Sequence, residues 1–183
     1  MPYDAPDFSN LTLAEISNLM VARRLPPVQD WKPTQRGESD MIIAADGKWY
    51  HQGSEISRPA MVRAFSSLIR REHNGSYWLV TPHEMLSIEV EDAPFIAVEI
   101  QSEAEGQLRS VAFRLNSDDL VVAGPEHRLE LRDGLPYLHV REGLWAKLNR
   151  PVYYELAEIA LSENPEKPGF WSEGMFFALG ASI

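Results

Sequence analysis

"DGKWYH" (residues 46–51) and "DGLPYLH" (residues 133–139) say nearly the same thing twice in a chain of 183 residues. Asp-Gly between apolar runs is a strong hairpin signal, because tight hairpin turns need backbone angles that Gly and Asp tolerate. An aromatic follows each pair, at Trp49 and Tyr137, and then a histidine, at His51 and His139. Further on, "SRP" (57–59) and "NRP" (149–151) each open a helical pattern. Both supply a capping residue, an arginine, and a proline in the first turn, where its missing N–H does no harm. Gly75/Tyr77/Trp78 and Gly169/Phe170/Trp171 close the two copies. The shared order of these landmarks points to an internal duplication.

The expected fold is therefore α+β, with two repeated strand-turn-strand-helix-strand modules around a mostly antiparallel β meander. Residues 1–38 read as a leader, an N-terminal helix and a connector. Residues 39–105 form the first module, and 106–183 the second. In the leader, "LTLAEISNLMVARR" carries capping-box spacing at Thr12 and Glu15. Its apolar residues Leu13, Ile16, Leu19 and Met20 recur at helical intervals. "SRPAMVRAFSSLIRRE" predicts a helix capped by Ser57, closed by Asn74-Gly75. "FWSEGMFFALG" predicts a terminal strand.

The formal net charge is −10, and the longest basic clusters are the pairs Arg23-Arg24 and Arg70-Arg71. Nucleic-acid binding draws on a basic footprint that neutralises phosphates, so no nucleic-acid partner is expected. Attachment to an anionic membrane is disfavoured on the same ground. The chain has no cysteine, which removes disulfides and thiolate chemistry and suits a reducing compartment. "MPYDAPDFSN" lacks the basic and apolar regions of a secretory signal, so a cytoplasmic location is expected.

The stretches "DGKWYHQGSEISRPAMVRAFSSLI", "TPHEMLSIEVEDAPF" and "LNRPVYYELAEIA" resemble a proteobacterial family catalogued as domain of unknown function 1285. The resemblance implies a duplicated α+β fold whose C-terminal half superficially looks like a pleckstrin-homology barrel. It implies a role in binding or signal relay and no defined activity. Phosphoinositide binding does not follow, because the basic pocket it needs is not visible here.

Several side chains are candidates for a site. Arg58 and Arg150 each fall in the first turn of an expected helix, where the macrodipole disfavours a cation. A rule broken at two matched places suggests a partner, either an internal carboxylate or a bound anion held bidentately. From 84 to 105 the chain is acidic with no Lys or Arg. There Glu84, Glu89, Glu91 and Asp92 could serve as acid and base or stand on a solvated strand face. His51 and His139 could meet across a module junction or sit as ordinary strand histidines. No P-loop, dinucleotide glycine motif, nucleophile elbow or zincin spacing is present, so no cofactor or metal is expected. The reading favours a non-enzymatic module that binds a small anionic molecule or peptide at the junction. His51, Arg58, Glu91, Asp92, Tyr137 and Arg150 would border it. Two alternatives stand beside it. One is a hydrolase or metal-dependent enzyme using Glu84, Glu91, Asp92 and a histidine. The other is a module that receives a partner strand at an open β edge.

Overall fold

The computed structural model describes residues 25–180, together with Thr12, Ala14 and Glu15. Thr12 and Glu15 make the reciprocal bonds of a capping box. The Thr12 backbone N–H donates to Glu15 Oε2 at 2.7 Å, and the Glu15 N–H donates to Thr12 Oγ1 at 3.2 Å. The apolar stripe expected to follow lies outside the described residues. No helix among the described residues is long and apolar enough to cross a membrane.

The first sheet comprises β1 (Gln35–Ile43), β2 (Trp49–His51), β3 (Ser54–Glu55), β4 (Ile69–Arg71), β5 (Tyr77–Val80) and β6 (Glu84–Val90), with helix α1 (Pro59–Ser66) between β3 and β4. The second comprises β7 (Phe95–Glu103), β8 (Ser110–Leu115), β9 (Leu120–Val122), β10 (Leu129–Arg132), β11 (Leu135–Arg141) and β12 (Leu144–Leu148). Helix α2 (Arg150–Glu163) and the hairpin of β13 (Gly169–Ser172) with β14 (Met175–Ala178) follow. The strand orders are β3-β2-β1-β6-β5-β4 and β10-β11-β12-β7-β8-β9. Counted from the first strand of each unit, they are one and the same order. In both, two three-stranded antiparallel meanders join along a central parallel pair, β1 with β6 and β7 with β12. The chain is thus a duplication at the level of topology.

The repeat runs in a different phase from the sequence landmarks. Asp46-Gly47 turns β1 into β2, whereas Asp133-Gly134 turns β10 into β11. The counterpart of Asp133-Gly134 is Asn74-Gly75, between β4 and β5. Helix α1 lies inside the first unit and α2 follows the second, so Arg58 and Arg150 are not equivalent. The expected strand-turn-strand-helix-strand pattern gives way to paired meanders. The change of sheet falls between Val90 and Phe95, because "FIAVEIQ" pairs forward with β8 and with the distant β12. β7 therefore opens the second unit.

Three further expectations change. The first helix stops at Ser66 rather than running on to Glu72. Ser66 Oγ donates to Val62 O and Ser67 Oγ to Ala64 O, both at 2.6 Å, local bonds that compete with helix continuation. Ile69 then enters the core from a strand instead. The N-cap is Arg58, with no side-chain cap bond, not Ser57. The second helix does start as expected, with Asn149 Oδ1 accepting from the Val152 N–H at 2.9 Å. The terminal segment is a hairpin rather than one strand, since Glu173 and Gly174 both take left-handed angles of the kind a two-residue turn needs.

One apolar core runs through both units. Ile43, Trp49, Ile69 and Ile88 of the first sheet cluster with Phe95, Phe113, Leu138 and Leu144 of the second, and with Leu156 of α2. Polar bonds stitch its margin. Arg141 Nη2 donates to Ser66 O at 2.9 Å, and Arg63 approaches Asp118 at 3.5 Å. Gly47 has φ +88°, and a β-carbon there would lie 2.4 Å from Ile96 Cγ1. Its carbonyl accepts from Asn116 Nδ2 at 3.2 Å. This turn is where one unit rests on the other, and a side chain at this position would force Ile96 to shift.

The two Asp-Gly pairs should therefore respond differently to substitution. Gly134 has φ +78° but open space around it. Gly134→Ala should cost about 1–2 kcal/mol, the penalty for a β-carbon in left-handed backbone. Gly47→Ala should cost a further 1–3 kcal/mol or so through overpacking against Ile96. Chemical denaturation midpoints of the two variants test this; equal losses would contradict the seating of Gly47 between the units.

Candidate functional site

At the junction a cleft of about 580 Å³ opens, lined by Gln29, Arg71, Glu72, His73, His139, Glu142 and Gly143. That volume lies in the range of small-molecule sites, which favour domain junctions. One wall is the β4–β5 turn, shaped by Asn74, whose Oδ1 accepts from the Ser76 N–H at 3.0 Å. The other is the β11–β12 turn, where Glu142 and Gly143 both take left-handed angles. Arg71 spans the walls, with Nη1 donating to Gly143 O at 3.2 Å and its guanidinium 5.3 Å from the centre of the Tyr77 ring.

Of the connector, Gln29 lines the cleft. Leu25, Pro26, Pro27 and Val28 line a smaller adjoining cavity of about 110 Å³. Arg70 fixes this segment by donating from Nη1 to Val28 O at 3.0 Å and Trp31 O at 2.9 Å. Its other guanidinium nitrogen pairs with Glu72 at 2.7 Å. Of the cleft's carboxylates, Glu72 is thus already neutralised by a neighbour. Arg71 supplies a cation to the cleft, and Glu142 a second carboxylate.

His139 contributes a defined acceptor. Its Nδ1 lies 3.1 Å from Glu126 O. A carbonyl can only accept, so Nδ1 carries the proton and Nε2 of the neutral ring is the acceptor. The ring also meets Trp145 edge-on at 5.0 Å. Beyond it, the outer face of the second sheet carries a continuous polar and aromatic strip. Tyr137 pairs across the ladder with Lys147, and His139 with Trp145. Arg132 lies over both Tyr137 (4.7 Å) and Trp145 (4.5 Å), within the range of cation–π attraction.

The strip ends at Asp92. The Tyr137 hydroxyl donates to both Asp92 carboxylate oxygens, at 2.8 and 3.0 Å, and Lys147 Nζ approaches Asp92 at 3.0 Å. Tyr137 is only 6% exposed. Burial, reinforced by the Asp92 hydrogen bond and charge, pushes its phenol up to about 12.

The candidates read from sequence divide accordingly. Asp92 and Tyr137 do meet. Glu91 is used within the fold, with Oε2 accepting from the Ala45 N–H at 2.9 Å beside the first hairpin. His51, Arg58 and Arg150 are exposed and do not line the cleft. The two arginines stand at the starts of helices that occupy different places in the two units. Arg71, His73 and Glu142 went unmarked in sequence. A strand ending at Arg71 before an Asn74-Gly75 turn would have pointed to a hairpin tip, but the helical reading of 57–72 hid it.

Tyr137 should titrate late. A pKa raised above its unfolded value of 10 means that the folded state holds the proton more tightly. The resulting stability is present below pH 10 and is lost as pH rises toward 12. Alkaline titration of tyrosinate absorbance should show a late step that Tyr137→Phe removes. Titration of Tyr137 with the exposed tyrosines would contradict the Asp92 contact.

Family models match both halves in order. The N-terminal model, described as a domain of unknown function (DUF1285), covers residues 26–93, and the C-terminal model, described as a protein of unknown function (DUF1285), covers 94–179. A solved DUF1285 family protein from Silicibacter pomeroyi DSS-3 is 38% identical and superposes with a TM-score of 0.77, over 90% of this chain and 93% of its own. A second, from Shewanella baltica OS155, is 27% identical, with a TM-score of 0.52 over 64% of this chain and 90% of its own. No curated protein matches. The break between the two models falls where the first sheet gives way to the second, and the chain belongs to the DUF1285 family.

Proposed function

We propose that this chain is a ligand-binding or signal-relay module that takes a small anionic molecule or a peptide terminus in the cleft between its two units. The observation that carries this is the cleft itself, of about 580 Å³, with Arg71, His73 and His139 on its walls. The Arg71 guanidinium suits a carboxylate or phosphate, which accepts from forked N–H donors. A cytoplasmic setting suits a chain without cysteine.

The likeness of the second unit to a pleckstrin-homology barrel is supported by a six-stranded sheet followed by one helix. It lends no support to a lipid headgroup as ligand, because the proposed anion site lies between the units rather than within the second. An acid–base or metal-dependent reaction has less support. Glu91 is bonded to the Ala45 N–H and Asp92 to Tyr137 and Lys147. Among the described residues, no group of three or more histidines and carboxylates is placed to hold a metal ion.

Thermal-shift measurements against carboxylates, phosphates and short peptides test the proposal. A ligand at about 100 times its dissociation constant should add roughly 2.7 kcal/mol of stability. Arg71→Gln should abolish that shift while leaving the circular dichroism spectrum unchanged. A hit whose shift survives both Arg71→Gln and His139→Ala would place its binding elsewhere and overturn the assignment.

A further inference from the structure

β10 is the outer strand of the second sheet, laddered only to β11. Its register is Leu129↔Leu138, Glu130↔Tyr137, Leu131↔Pro136 and Arg132↔Leu135. Across the two-residue Asp133-Gly134 turn, Arg132 and Leu135 form the hydrogen-bonded closing pair. The phase alternates from there. The backbone groups of Arg132 and Glu130 point into the sheet, and those of Leu131 and Leu129 point away from it. Pro136, which lacks an N–H, stands opposite Leu131, as this phase requires. The His139 N–H donating to Arg128 O at 2.8 Å fits the same alternation. Among the described residues nothing meets the outward groups of Leu129 and Leu131.

An uncovered edge of this kind invites a strand. Leu131 is 38% exposed and Leu135 43%, so the edge also presents apolar surface. Glu130 and Arg132 project together from the outer face. Their contact within the chain is 3.5 Å, with the side chains 53% and 43% exposed, a weak pairing that is readily exchanged.

The strand is complementary to itself. Turned about a two-fold axis through Leu131, a second β10 would set the free Leu131 backbone groups against each other as a hydrogen-bonded pair. Glu130 would then face Arg132 of the second copy, and Arg132 would face its Glu130. Opposite charges directly across a ladder favour pairing, and like charges oppose it. Such an interface is isologous and closes at two copies.

We propose that two copies of this chain associate through antiparallel pairing of β10 with β10, centred on Leu131, joining their second sheets into one. This association is independent of the junction cleft. Light scattering coupled to size exclusion, over a range of concentrations, reads it directly. The unaltered chain should reach twice its monomer mass. Arg132→Glu and Glu130→Arg should each weaken the dimer at least tenfold by placing like charges opposite one another. An equimolar mixture of the two single variants should restore association as a heterodimer, and the double variant Glu130→Arg/Arg132→Glu should self-associate again. These two rescues separate lost pairing from lost folding. A monomer at every concentration, a dimer indifferent to the single changes, or single variants that neither mixing nor the double change restores would overturn the proposal.

Discussion

Each unit of this chain is a sheet with an apolar face that must be covered. A sheet must bury that face against another layer, and here both sheets, helix α2 and the β13–β14 hairpin contribute to one buried cluster. Ile43, Trp49 and Ile69 from one sheet share a fully buried cluster with Phe95, Phe113 and Leu138 from the other. How strongly this burial dominates is visible at Trp49, which stacks on Phe65 at 6.3 Å while its Nε1 is buried without a hydrogen-bond partner. An unsatisfied buried donor costs about 1–3 kcal/mol, so the packing gained by seating that ring must exceed it.

The cleft is a by-product of the same docking. Its walls are the turns that protrude beyond the shared core, one from each sheet, and Arg71 reaches from the first turn to Gly143 O of the second. The site is polar because turn tips stand in water, and it is formed in advance because the core beneath it holds both turns in place. Pre-formed concavity with a few convergent polar groups is the usual character of a binding site. The neighbouring strip through Trp145, Arg132 and Tyr137 to Asp92 is held by strand register rather than by turns, so it is the stiffer of the two surfaces.

Much of the fold was legible in the sequence, though not its phase. The Asp-Gly turns, the Asn149 cap and the alternation of β strands all rest on local chemistry, and all lie where that chemistry puts them, whereas Asn74-Gly75, read as a helix stop, is a hairpin turn. The pairing of β1 with β6 and of β7 with β12 joins residues far apart in the chain and leaves no local mark. Without it, the landmarks were aligned by spelling, and Asp46-Gly47 was matched to Asp133-Gly134 instead of to its topological relative. The site suffered in turn. Asp92 and Tyr137 were legible as polar groups beside turns and strands, and they do meet. Arg71 and His73 were concealed by a helical pattern that runs on past Ser66, where two serine hydroxyls and the demand of the core for Ile69 end the helix. Arg58 and Arg150 looked matched only because two helices happen to begin alike.

Everything turns on the two units sharing one core, and residue-resolved native-state hydrogen exchange measures that most directly. Slowly exchanging amides of β5 and β6 in the first sheet, and of β11 and β12 in the second, should open together with one common free energy equal to that of global unfolding. If the first sheet opened at a distinctly lower free energy while the second stayed closed, the units would be independently stable neighbours. The shared core, and with it a pre-formed cleft, would then be ruled out.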